Sequence, residues 1–117
     1  MENSIKKYSV AKEFTNYPGP RYKNQGEDSG QKFFENVLDK LMADVIEEGG
    51  KLEIDLDGTA GYASSFLDEA FGELVLKYSM GVVLRHLLVV SELEPDWKEM
   101  IFKETIPEWE EKRLEKI

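Results

Sequence analysis

Between Lys51 and Leu56 apolar and charged residues alternate strictly, with Leu52, Ile54 and Leu56 on one side and Glu53 and Asp55 on the other. A period of two is that of a strand with one buried face. On either side the period changes. Phe34, Val37, Leu38, Leu41 and Val45 recur at three- and four-residue intervals, with Glu35, Lys40 and Asp44 off the stripe. That spacing predicts a helix opened by Asp28 or Ser29 and closed by Gly49-Gly50. Leu67, Ala70, Phe71, Leu74, Val75 and Tyr78 form a second stripe, predicting a helix that starts near Ser64 or Ser65 and stops at Gly81. Ser65 with Asp68 three residues later has the form of a capping box. Gly72 lies inside this helix, where glycine costs about 1 kcal/mol relative to Ala, so a neighbouring element is expected to approach its backbone closely.

Weaker patterns flank this centre. Tyr8, Val10 and Phe14 alternate loosely with charged residues between Ile5 and Phe14, and Lys6, Lys7 and Lys12 suit an exposed edge strand. Tyr17-Pro18-Gly19-Pro20 breaks it, Arg21-Tyr22 reads as the start of a second short strand, and residues 24–28 read as a loop. Leu87-Leu88-Val89-Val90 predicts a buried strand beginning at His86 or as early as Val82. Pro95 or Asp96 opens a helix through Trp97, Met100, Ile101 and Phe102, and Pro107 is expected to separate it from a last helix over Glu108 to Lys116, anchored by Trp109. Helices alternating with strands imply an α/β sandwich whose mixed sheet has parallel core strands packed by helices, as one domain over residues 1–117. Sites in such sheets lie beyond the carboxyl ends of strands, which here is the Asp57 to Ser65 loop.

Composition narrows the function classes. The chain has 117 residues, 41% hydrophobic, and 15 Lys+Arg against 24 Asp+Glu give a net charge of −9. An acidic surface lacks the basic stripe that nucleic-acid binding requires and repels anionic lipid. Acid gathers between Asp55 and Glu73 and in the C-terminal helices, while the N-terminal segment up to Lys23 carries much of the base. The absence of Cys removes disulfides, thiol catalysis and thiolate metal sites. No apolar run nears the roughly 20 residues of a membrane helix, and the N-terminus lacks a signal-peptide stretch, so a soluble cytoplasmic protein is expected.

The segment from Asp57 to Gly72 carries the chemical signal. Ser64 and Ser65 sit at a helix start after a core strand, where free N–H groups and the positive end of the helix dipole gather. They read either as capping residues or as phosphoacceptors, since a phosphate there would be electrostatically favoured. Arg21 after its Pro-Gly-Pro turn is a candidate for a phosphate or carboxylate, or for pairing with the surplus acid. Asp55, Asp57, Asp68 and Glu69 read as solvated acidic faces rather than a metal site, so no metal or cofactor is expected. His86 is the single histidine and has no second His, Cys or evident base partner, which argues against a Ser-His triad using Ser64 or Ser65 and for a packed or strand-end histidine. Trp97, Phe102 and Trp109 fall at helical positions and read as core.

Several of these pieces occur together: Gly19-Pro20-Arg21, Ser29-Gly30 with Phe33, Ile54-Asp55-Leu56-Asp57-Gly58, Gly61-Tyr62, and Ser64-Ser65-Phe66-Leu67-Asp68-Glu69-Ala70-Phe71-Gly72. In this combination the chain resembles the STAS-like family of bacterial proteins, and more remotely the STAS domains of anti-sigma factor antagonists, over roughly Phe14 to Ile106. The resemblance implies a non-catalytic regulatory module that docks a protein partner, a histidine-kinase-like ATPase, and is switched by serine phosphorylation. Set against the antagonists' Asp-Ser-Ser-Gly motif, Ser64 falls at the phosphorylated serine and Ser65 at the second, while Ala63 and Phe66 replace the Asp and the Gly. The implied docking residues are Gly58, Gly61, Tyr62, Phe66, Asp68, Glu69 and Arg21. Two other readings use the same loop: a small hydrolase or ligand-binding protein built on Asp57, Ser64 and Ser65, and a constitutive adaptor or homodimer in which the serines only cap.

Overall fold

The computed structural model describes residues 4–116; the outermost residues of the expected 1–117 domain lie outside that range. The strictly alternating segment is β2 (Lys51–Asp55), and it is the middle strand of the sheet. β1 (Ile5–Ser9) and β3 (Leu87–Val90) flank it, both parallel to it, in the order β1-β2-β3. The mixed sheet expected from the sequence is therefore purely parallel among the described residues. The register aligns Lys6, Leu52 and Leu87, and then Tyr8, Ile54 and Val89, on one face. Leu52, Ile54, Leu87 and Val89 are buried there, whereas Leu88 on the other face is exposed. Period-two patterning thus sets which face meets the helices.

β1 ends sooner than Phe14. Ser9 Oγ accepts the Lys12 N–H at 3.2 Å while the Ser9 N–H donates to Glu13 Oε2 at 2.9 Å, and these reciprocal bonds turn the chain into α1 (Val10–Glu13). Val10 is thereby buried in the core. Arg21 and Tyr22 form no strand. Instead the Gly19 N–H donates to the Asp28 carbonyl, the Gly30 N–H to Pro20 and the Gln31 N–H to Arg21, each at 2.9 Å. This irregular segment is pinned along the next helix start, and a single 3-10 turn (Lys23–Gln25) follows it.

Ser29 caps the first predicted helix, accepting the Lys32 N–H at 3.0 Å. The helix runs as α2 (Gly30–Phe33), a wider π turn (Phe34–Leu38) and α3 (Asp39–Glu48), and Gly49 closes it at φ 73°. α4 (Ser64–Tyr78) stops before Gly81 because Ser79 takes φ 86°. Gly81 instead lies within α5 (Met80–His86), whose opening N–H groups are met by Ser79 Oγ, bonded to Val82 at 3.4 Å, and by Glu110, bonded to Met80 at 3.1 Å. At its end His86 Nδ1 lies 2.7 Å from the Gly50 carbonyl.

Pro107 does not separate two helices. α6 (Pro95–Met100) leads through a second π turn (Ile101–Thr105) into α7 (Ile106–Glu115), and the Ile106 N–H reaches back five residues to Ile101. The wider turn comes just before the residue that has no N–H, so the helical path continues past it. α7 packs on α4. At the crossing the Trp109 indole lies directly on Gly72, so a Cβ at that position would run into the ring. This is the close approach that a glycine inside the helix predicted.

Phe33, Phe66, Phe71, Leu74, Ile101 and Ile106 are fully buried. The Phe14, Phe33 and Phe66 rings pack with centroids 5.0 Å (Phe14 to Phe33) and 5.8 Å (Phe33 to Phe66) apart. Trp97 packs edge-on against Tyr62 and Trp109 is buried, as the core reading of the aromatics expected. Among the described residues no helix is long and apolar enough to cross a membrane.

Candidate functional site

The loop between β2 and α4 leaves the carboxyl end of the sheet and is laced in place by its own side chains. Asp57 accepts the Glu92 N–H at 3.1 Å and the Leu93 N–H at 3.0 Å, tying the loops after β2 and β3 together. Asp55 Oδ1 accepts the Asp57 N–H, and the Ala60 N–H donates to the Asn16 carbonyl. Gly58 and Gly61 take φ 97° and 132°, a region that glycine enters without a Cβ penalty, and both are exposed. Tyr62 points inward and donates to the Leu56 carbonyl at 2.8 Å. Burial pushes its phenol pKa up, and Asp55 and Asp57 add to the effect.

Tyr62 and Phe66 are therefore anchors of the loop and not the docking surface expected of them. Phe66 occupies the position at which the antagonist motif has Gly. Its ring is enclosed by Phe33, Phe14 and Tyr62, and its carbonyl lies so close to Gly30 that a Cβ on Gly30 would strike it. The start of α4 is held against the start of α2 by this contact.

Neither serine caps α4. Ala63 is the capping position and, among the described residues, no side chain bonds to the opening N–H groups, so the Ser65–Asp68 capping box does not form. Ser64 is exposed in the first turn and Ser65 is half-buried. Asp68 lies one turn further on, and both its oxygens are occupied. Oδ2 accepts Arg21 Nη1 at 2.9 Å and Oδ1 accepts Trp109 Nε1 at 3.1 Å. Arg21 Nη1 also reaches Glu69 Oε1 at 3.3 Å. Glu69 is only 3% exposed, so Arg21 neutralises a carboxylate that is otherwise enclosed. Burial works against the charged guanidinium, but the bonds to Asp68 and Glu69 outweigh it and hold its pKa above the ordinary arginine value. Of the two sequence readings of Arg21, pairing with surplus acid is the one observed. Glu73, one turn beyond Glu69, is pushed up to about 7 by burial and by its hydrogen bond with Glu69.

Asp55 and Asp57 belong to the loop network and Asp68 and Glu69 to the Arg21 network, so the four acids do not converge. Among the described residues no group of His, Asp and Glu is arranged to hold a metal ion.

Arg21, Ser64 and Asp68 form one wall of a cavity of about 220 Å³, and Met100, Glu104, Thr105 and Glu108 form the other. The second wall was not foreseen. Its one sequence signal is Thr105, a polar residue in register with the apolar stripe of Ile101 and Trp109.

A family model described as "STAS-like domain of unknown function (DUF4325)" matches residues 29–97, more than half of the chain. The chain belongs to that family. Neither the curated proteins nor the solved structures provide a match. In this STAS-like domain the matched stretch runs from the Ser29 cap to Trp97 and supplies β2, the laced loop, α4 and β3. Arg21 and the Met100 to Glu108 wall lie outside it.

Proposed function

We propose that this STAS-like domain is a non-catalytic regulatory module that docks a protein partner at the start of α4 and is switched by phosphorylation of Ser64. The observation that carries this reading is Ser64 itself. It is exposed in the first turn of a 15-residue helix and has no capping duty, so its hydroxyl is open to modification. The dipole and the free N–H groups there favour an added phosphate. Asp68 lies one turn away, so the phosphate would make an already acidic surface more so and drive off a partner that had docked on it. The exposed Gly58 and Gly61 beside it extend the surface; Arg21, Asp68 and Glu69 shape it from below. By the resemblance to anti-sigma factor antagonists, the partner and modifying enzyme is a histidine-kinase-like ATPase.

The test is incubation with ATP and such an ATPase, followed by intact-mass measurement. Gain of one phosphate by the wild type and none by Ser64→Ala is expected, with Ser64→Asp weakening partner binding. Unchanged binding by Ser64→Asp overturns the switch.

A further inference from the structure

The two edges of the sheet are built differently. β1, at one edge, carries Lys6 and Lys7, whereas β3, at the other, is Leu87-Leu88-Val89-Val90, with neither charge nor proline. Charge and proline are the usual guards of an edge, because its free N–H and carbonyl groups template pairing with another chain. β3 is left unguarded.

The direction of its backbone groups is fixed by β2. The Val90 carbonyl accepts the Leu56 N–H across the sheet, so Val90 and Leu88 turn their backbone groups toward β2. Leu87, Val89 and Ser91 alternate with them and turn theirs outward. The Leu87 N–H is spent on the Val83 carbonyl at the end of α5. Among the described residues this leaves the Leu87 carbonyl, the Val89 N–H and carbonyl and the Ser91 N–H without a partner. A groove of about 460 Å³ is lined by all four β3 residues together with Lys98 and Phe102. Successive side chains point to opposite faces, so a groove that touches all four runs along the edge itself. The Leu87 and Val89 side chains are packed in the core, and it is their backbone that borders the groove.

We propose that this edge receives β3 of a second copy of the chain, antiparallel to the first about a two-fold axis at Val89. The free groups are self-complementary in that arrangement, as a two-fold interface requires. Val89 stands opposite Val89 of the second copy, and the pair exchanges both N–H to carbonyl bonds. Each Ser91 N–H meets the Leu87 carbonyl of the other copy, so every unpaired group on the edge is used. Leu88 falls opposite Val90 of the second copy on the outer face, an apolar cross-strand pair. Charge favours the same occupant. The chain carries −9, yet the groove and the recess that continues it past Phe102 along α6 set Glu53 and Glu99 against Lys98 and Lys103. A patch with both signs in balance is where two copies of an acidic chain meet with least repulsion.

The proposal does not depend on docking at Ser64, and its test uses the chain alone. A contact of this size is at the weak end for protein interfaces, so dimer is expected to grow with concentration in sedimentation equilibrium from roughly 10 µM to 1 mM. Amide hydrogen exchange at Val89 and Ser91 should slow over the same range, because those N–H groups become bonded. Leu88→Lys, at an exposed position, should weaken dimerisation about tenfold by setting a charge in the apolar pair, and the uncharged strand former Leu88→Thr about threefold. Leu114→Lys, exposed on α7, should leave it unchanged. A monomer at every concentration overturns the proposal. So does dimerisation of Leu88→Lys equal to wild type, or a dimer in which Val89 exchange does not change with concentration, since that dimer would use another surface.

Discussion

Trp109 rests on Gly72 so closely that the helix bearing the glycine has room for no side chain at the crossing. The same indole donates from Nε1 to Asp68 on the preceding turn. Helix propensity alone says that Gly72→Ala stabilises α4 by about 1 kcal/mol. The packing says the reverse, and overpacking a close contact costs about 1–3 kcal/mol. Urea unfolding of Gly72→Ala is expected to show net destabilisation with altered Trp fluorescence. A gain in stability would mean that the two helices separate readily.

Arg21 reaches Glu69 from a segment forty-eight residues away in sequence. Removing it leaves Glu69 enclosed without its cation, so Arg21→Ala is expected to cost about 1–3 kcal/mol. Adding Glu69→Gln to that variant should recover much of the loss, because the neutral amide needs no counter-charge. A double-mutant cycle by denaturant unfolding measures the coupling.

Ser29 and Ser64 both stand at helix starts, and only one of them caps. Ser29→Ala removes a buried cap bond and is expected to cost about 1 kcal/mol. Ser64→Ala removes none and should stay within about 0.5 kcal/mol of wild type. Comparison of the two melting curves therefore separates a capping serine from one free for modification.

How much of this was legible in the sequence depended on whether the deciding contact was local. Alternation in Lys51–Asp55, the stripe of α4, the Ser29 cap and the need for a neighbour at Gly72 are properties of short windows, and all are present in the fold. Three expectations failed where a tertiary partner or a change of helical pitch intervened. Arg21-Tyr22 gave up a strand for backbone bonds to Asp28–Gln31, Gly81 was overridden by the left-handed Ser79, and Pro107 was absorbed by a π turn. At the site, the serine pair and the acids were legible as residue types. Their roles were not, because the pairing of Arg21 with Asp68 and Glu69 and the inward turn of Tyr62 and Phe66 are long-range. The wall of Glu104, Thr105 and Glu108 straddled a proline that read as a break.

Glu73 gives the fold a pH dependence of defined sign. Its carboxyl is pushed up to about 7 in the folded protein, above its ordinary value near 4.5. The folded state therefore holds a proton that the unfolded state releases. Its contribution to stability is full below about pH 4.5 and is lost as pH rises through about 7. Glu110 moves oppositely: bonds from Arg113 and from the Met80 N–H hold it at about 2, so its contribution is constant above the ordinary carboxylate range. Melting temperature is expected to fall between pH 5 and pH 8, and Glu73→Gln should flatten that fall. An unchanged slope in the variant would assign the dependence elsewhere.

β1 and Trp109 both lie outside residues 29–97, yet β1 pairs with β2 and Trp109 packs on Gly72, so segments before and after the matched stretch hold it. Trimming a protein to the matched stretch would strip an edge strand from β2 and uncover the bare backbone at Gly72, so the boundary of the likeness is not a boundary of the folding unit. The stretch that identifies the frame is also not the stretch that furnishes the recess beside Ser64. Two chains with the same middle and different ends would share an architecture and present different chemistry at its rim.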